Sequence, residues 1–344
     1  MSEANPIYRE LAQKLIGVEE LECMSQIIAR LANREQAEIL QHLPDPDRDP
    51  SAGRSLAVSE IFAAKLKLSK EIIDKHIQEL FEKGILFPTK SGPQMARTQM
   101  QLHDATLCNS KYDDSLGNKF FDLWATLDGE RNRPVPEDLI EGETMFRIVP
   151  RWKSIQDVPG VLPYEDIRQI LKAQEFLVLA PCGCKRSYRN RECGIPHESC
   201  ITVGRTAQYN LSRGVGREIT YEEALEVIEK YDQYPVINLT VNQKDIGQLV
   251  CNCHWCCCIA MSSAQKSRFV AEVDPEKCLG CRTCVSRCQY GAAQMIPHES
   301  GERARIDPDI CRGCGCCVIT CSAQARSMKA VRPPEHIPDV VTIY

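Results

Sequence analysis

Two stretches near the C-terminal end of this 344-residue sequence repeat one arrangement of thiols. Residues 273–295 read VDPEKCLGCRTCVSRCQYGAAQM and residues 306–328 read IDPDICRGCGCCVITCSAQARSM. A shift of 33 positions superposes four cysteines, an Asp-Pro pair, an alanine and a methionine. Each copy carries the spacing C-x2-C-x2-C-x3-C. Three closely spaced thiolates can face one metal cluster, whereas the fourth, after a longer gap, begins a helix that points elsewhere. Zinc modules pair C-x2-C with a distant second half, so four cysteines crowded this closely favour iron–sulfur chemistry.

This stretch resembles a bacterial-type ferredoxin with two 4Fe-4S clusters. The resemblance implies that Cys278, Cys281, Cys284 and Cys321 hold one cluster, and that Cys311, Cys314, Cys317 and Cys288 hold the other, each repeat lending its last ligand to its opposite. The family usually has proline after each fourth cysteine; here Gln289 and Ser322 stand there. The change adds a backbone N–H near each cluster, and hydrogen bonds to sulfur are one control of reduction potential. Arg282, Arg287, Arg312 and Arg326 lie among these cysteines, available to donate to sulfur or to rim a docking face. Cys316 is surplus and reads as a buried thiol.

Nine more cysteines fall in two clumps. The first contains Cys182, Cys184, Cys193 and Cys200; the second, CNCHWCCC, contains Cys251, Cys253, Cys256, Cys257 and Cys258. Crowded thiolates repel and need a cation unless they stay protonated. One or two further Fe–S clusters would satisfy them, with zinc as the alternative. Lys185, Arg186, Arg189 and Arg191 could offset cluster charge. Three adjacent cysteines cannot all reach one iron, so some of 256–258 should be structural, and His254 should support the site rather than ligate. The pattern is similar to that of little-characterised iron–sulfur proteins of anaerobes, which implies no particular substrate.

The elements that position these cysteines follow from periodicity. EFLVLA and PVINLTV read as strands; LPYEDIRQILKAQ and ITYEEALEVIEKYDQ read as helices, an alternation expected of a small α/β or α+β domain. Further back, apolar residues at helical spacing fill the first forty positions, and the Pro/Asp run at 44–53 ends them. Ser59 and Ser69 can cap helices reaching Leu66 and Lys83, Gly84 suits a helix end, and a hairpin follows. Helix, turn, helix and hairpin resemble a winged-helix domain. That resemblance raises DNA binding, but residues 55–95 hold six lysines against five acids, and the second helix carries Glu71, Asp74, Glu79 and Glu82. A groove-reading helix should be basic, so protein docking is the preferred use. Helices are expected near 95–107 and 118–127, and a strand at MFRIVP. His103 beside Asp104 could suggest proton transfer, but such a pair is usually satisfied locally. Cys23 and Cys108 read as buried structural thiols.

The fold class expected is therefore multidomain α+β: a helical and winged-helix-like domain over 1–95, a connecting helical region over 96–160, a Cys-rich iron–sulfur domain over 161–262, and a dicluster ferredoxin domain with an extended tail over 263–344. Twenty cysteines without a basic, apolar leader imply reduced thiols, metal and a cytoplasmic setting. No apolar run is long enough to span a membrane. G-x-G-x-x-G is absent, so neither NAD nor flavin is expected in this chain. The leading expectation is an electron-transfer component serving a partner oxidoreductase. The alternatives are a reductase whose middle cluster binds a small-molecule substrate, and a redox-sensing DNA-binding regulator.

Overall fold

The computed structural model describes residues 6–15, 18, 20–43, 55–90, 92–131, 144–188 and 194–340. Cys193, Arg189, Arg191, the Pro/Asp run at 44–53 and most of the Pro-rich stretch after Arg131 lie outside the described residues. The chain mixes helix and sheet in two compact units. The first comprises Met1–Arg131, Pro181–Glu192 and Ser212–Val215; the second comprises Asn132–Ala180, Cys193–Leu211 and Gly216–Tyr344.

The first unit is mainly helical. Its first three helices are α1 (Pro6–Gln13), α2 (Leu21–Leu31) and α3 (Arg34–His42). Periodicity gives 18–44 as one helical stretch, but Asn33 divides it. The Asn33 side chain accepts from the Gln36 amide at 2.8 Å, and the Gln36 side chain accepts from the Asn33 amide at 3.0 Å. This reciprocal cap starts a new helix. Next come α4 (Glu60–Leu66) and α5 (Lys70–Lys83), capped by Ser59 and Ser69, with Gly84 closing α5 at φ +91°. Strands β1 (Leu86–Thr89) and β2 (Gly92–Met95) form the hairpin. Met95 therefore belongs to a strand, and Thr98 caps α6 (Gln99–Leu107). Helix α7 (Asp113–Arg131) is interrupted at Gly117.

The acidic residues of α5 are less exposed than the sequence implies. Glu82 accepts from Lys111 Nζ at 2.5 Å and Tyr112 Oη at 2.7 Å, which hold its carboxyl down at about 2. Asp74 pairs with Lys70 and Glu79 with Lys83. Only Glu71 of the four is exposed. Cys23 and Cys108 are buried, donating to the carbonyls of Leu123 and Asp104 respectively.

The second unit is built on a six-stranded sheet in the order β3-β7-β8-β5-β4-β6. Its strands are β3 (Phe146–Val149), β4 (Leu177–Pro181), β5 (Glu198–Val203), β6 (Arg217–Ile219), β7 (Ile237–Val241) and β8 (Leu249–Cys253). The sheet thus reaches back to 146, into the region expected to be a connection. Helices α8 (Ile167–Lys172) and α9 (Tyr221–Lys230) bury Ile167, Ile170, Leu171, Ala224 and Ile228 against Ile201, Val203, Ile219 and Val250.

Residues 269–330 form two short antiparallel ladders. β9 (Phe269–Val273) pairs with β12 (Arg326–Ala330), and β10 (Ala293–Ile296) pairs with β11 (Arg303–Ile306). Each repeat therefore pairs its first strand with the other's last. The repeated Asp-Pro does the same work twice. Asp274 N donates to Ala325 O and Asp307 N to Ala292 O, both at 2.8 Å, while each Asp side chain accepts the amides two and three residues on.

Backbone crowding separates two left-handed glycines here. A Cβ on Gly313 (φ +68°) would collide with Phe269 O and Ser267 Oγ, whereas Gly291 (φ +73°) has nothing within 4 Å. Gly291→Ala should cost only the left-handed penalty, about 1–2 kcal/mol. Gly313→Ala adds overpacking and should cost roughly 2–5 kcal/mol in total. Denaturant midpoints of anaerobically purified variants check this; equal losses would refute the close approach.

Candidate functional site

The second repeat's thiols surround a cavity. Cys288, Cys311, Cys314 and Cys317 line it, with Ala271, Ala292, Ile306 and Gly315 supplying apolar wall. Cys288 comes from the first repeat, at the end of the helical turn Thr283–Arg287. Burial pushes the Cys311 and Cys317 thiols up from their ordinary range; the neighbouring charges of Cys314 and Cys288 add to this. Such thiols hold their protons until a cation replaces them. Four soft donors around an apolar hollow fit a 4Fe-4S cluster.

Cys278 and Cys284 are buried in the same apolar cluster as Cys311 and Cys317, and Cys288 and Cys321 pack against it. Cys278 accepts from the Ala304 amide at 3.4 Å. Cys281 differs: it is exposed, and Thr283 lowers its pKa through hydroxyl and amide hydrogen bonds.

Of the four arginines among these cysteines, three have oxygen or ring partners, though Arg287 and Arg312 also line the cavity. Arg282 pairs with Glu302, Arg312 lies 5.5 Å from the Tyr290 ring centre, and Arg287 donates to the carbonyls of Asp232, Gln233 and Tyr234. Arg326 is 8% exposed, its Nη1 and Nη2 have no oxygen partner, and its side chain reaches the Cys284 thiol. Its charge instead acts on Cys281, Cys284 and Cys317. A buried guanidinium in this state needs anionic sulfur nearby.

The middle cysteines are divided. Cys182 and Cys184 lie in the first unit; Cys200, Cys251, Cys253, Cys256, Cys257 and Cys258 lie in the second. On the sheet, β5 and β8 place Cys200 directly opposite Cys251. Hydrogen bonds with Cys251 and Cys258 push the Cys253 thiol well up, and burial adds to them. These four thiols therefore gather at one end of two neighbouring strands. Cys257 instead donates to His254 O at 3.8 Å. That same carbonyl accepts the Cys257 and Cys258 amides, and His254 Nδ1 accepts the Cys256 amide, so His254 shapes the turn. The offsetting role expected of Arg186 is also overturned: it donates to Leu107 O and pairs with Asp113 at 2.6 Å. Cys316 is buried and donates to Val236 O at 3.0 Å.

Sequence reasoning missed Tyr290. Burial pushes its hydroxyl well up, and the charges of Cys314, Cys258 and Cys253 all act on it. It lines the cavity, with Trp255 edge-on at 5.6 Å. Its position just after Gln289 carried no metal-ligand signal.

Residues 277–325 match a family model described as a 4Fe-4S dicluster domain, a span containing all eight cysteines of the repeats. The C-terminal part is thus ferredoxin-like, and the match supports an iron–sulfur electron-transfer role. No curated protein matches the chain. Among the described residues, no helix is long and apolar enough to cross a membrane.

Replacing Arg326 by methionine removes positive charge from beside the thiolates and disfavours the more negative reduced state. The reduction potential should fall by roughly 50 mV or more, taking 59 mV per 1.4 kcal/mol for one electron. Redox titration followed by EPR measures it; an unchanged or raised potential would contradict the placement of this charge.

Proposed function

We propose that the chain is an iron–sulfur electron-transfer protein or subunit with three cluster sites in its second unit. Two use the ligand sets implied by the repeats: Cys278, Cys281, Cys284 and Cys321, and Cys288, Cys311, Cys314 and Cys317. The third uses Cys200, Cys251, Cys253 and Cys258. A 4Fe-4S cluster bound at such a site supplies a one-electron couple whose potential follows local charge and hydrogen bonding.

The observation that carries this reading is the apolar cavity lined by Cys288, Cys311, Cys314 and Cys317, with Tyr290 in its wall and the Trp255 ring edge-on against Tyr290 at 5.6 Å. The Tyr290 hydroxyl donates to Met261 O at 3.2 Å, fixing the ring in the cavity wall. At the other edge, exposed Cys281 lies beside Leu279, 74% exposed, and Arg282. This edge is the face offered to a redox partner, with the apolar Leu279 beside the Arg282–Glu302 ion pair. The helix–turn–helix and hairpin stretch of the first unit serves as a protein-docking face. A nucleic-acid partner is disfavoured, since α5 carries three lysines against four acids and offers a phosphate backbone no positive excess.

Anaerobically purified protein should contain about twelve iron atoms per chain, three clusters of four. Cys253→Ser or Cys258→Ser should remove one cluster's iron and sulfide, and Cys257→Ser should remove none. Tyr290→Leu should keep the iron count yet slow equilibration between the repeat clusters and the third centre, read by freeze-quench EPR. An iron content of about eight, unchanged by Cys253→Ser, would sink the third site while leaving the dicluster reading intact.

A further inference from the structure

In the first unit, helix α6 carries His103 and Asp104, and the helical turn Gly183–Ser187 carries Cys184. The turn packs against α6: a Cβ at Gly183 would stand at ordinary contact distance from His103 Cε1, 3.6 Å, and Asp104 Cα, 3.7 Å. One ligand atom each from His103, Asp104 and Cys184 lies within 4.8 Å of the others. His103 Nδ1 is 2.8 Å from the Asp104 carboxylate. Its Nε2 is 3.1 Å from Asp128, and both residues are 1% exposed. The Trp124 ring, 5.2 Å away and perpendicular, fixes the imidazole plane.

We infer that His103, Asp104 and Cys184 form a mononuclear zinc site, with Nδ1, a carboxylate oxygen and Sγ as ligands and the fourth position left to water. Tetrahedral zinc with ordinary bond lengths holds its donors about 3.3–3.6 Å apart. With all three ligand atoms within 4.8 Å of one another, small movements of the side-chain ends reach that range. Mixed nitrogen, oxygen and sulfur donors suit zinc; magnesium and calcium take oxygen sets, and an iron–sulfur cube takes thiolates. Asp128 completes the arrangement seen around metal-bound histidines, in which the second ring nitrogen donates to a buried carboxylate and orients the ligand. Asp104 is half exposed at the carboxylate, giving ions and water access. Three protein ligands with one open position describe a zinc that activates water or binds a small anion rather than a purely structural one. Cys184 thereby leaves the set expected to hold an iron–sulfur cluster.

The test uses the whole chain with its clusters retained, equilibrated anaerobically with Zn2+ against a competing chelator. One zinc per chain is expected. Zinc-edge X-ray absorption should show one sulfur at about 2.3 Å and the remaining ligands at about 2.0–2.1 Å. Cys184→Ser and Asp104→Asn should each weaken binding at least tenfold while leaving iron and sulfide unchanged. Asp128→Asn should weaken it by about 10- to 100-fold. Failure to retain zinc, a shell of two or more sulfurs, or loss of iron in Cys184→Ser overturns the assignment. The absorption measurement on the unaltered protein decides the ligand set even where a variant fails to fold.

Discussion

The second unit depends on bringing thiols from two sequence repeats around one apolar hollow. Cys288 lies 23 residues before Cys311, yet it lines the same cavity. No local turn could place it there. The repeats must fold against each other, and they do so through crossed strand pairs, β9 with β12 and β10 with β11. The two Asp-Pro turns lock this exchange, because each Asp amide donates to an alanine carbonyl of the opposite repeat. Burying several thiols together pushes their pKa values up, so the assembled cavity holds either protons or a soft cation. Metal uptake and native pairing are consequently linked equilibria.

Much of this was legible in the sequence because the chemistry there is local. The C-x2-C-x2-C-x3-C spacing needs no long-range information, and serine caps before α4 and α5 announce themselves beside the first helical residue. Apolar runs such as EFLVLA and PVINLTV became β4 and β7 for the same reason. Among the strands that were not expected, β5 and β8 carry cysteines. LVCNC alternates correctly for a strand, but its asparagine and two cysteines read as part of a ligand clump. Asn252 is in fact buried, and its side chain accepts from Asn238 at 2.9 Å. The reach of the sheet to Phe146–Val149 was illegible because edge pairing with β7 is decided by residues ninety positions away.

The same distinction governs the buried charges. His103 and Asp104 are adjacent and were visible as a pair, but local satisfaction is only part of their environment. Asp128 arrives from the next helix, and Cys184 from a segment eighty residues on. Arg326 was one of four arginines among the thiols, indistinguishable by position. Only the packing shows that Arg282, Arg287 and Arg312 have oxygen or ring partners, whereas Arg326 is left to the sulfur.

Gln289 shows why a departure from a family pattern cannot be read from the missing residue alone. Relative to proline, the expected consequence was an extra backbone N–H beside a cluster. The side chain matters more. Its oxygen accepts the Trp255 amide at 2.6 Å, and its nitrogen donates to Pro235 O. Arg287 takes the carbonyls of residues 232, 233 and 234, and Cys316 takes that of 236. The run of carbonyls entering β7 is thereby satisfied by the dicluster segment, where unpaired groups would be costly. From the opposite side, the Arg151 amide donates to Cys314 O, while its guanidinium holds Asn238 and Asp232. A proline at 289 would remove two of these ties, including the one that holds the Trp255 turn. The ferredoxin-like segment is therefore fastened to the sheet rather than carried as a detachable shuttle. An electron path fixed within the unit is the use such fastening supports.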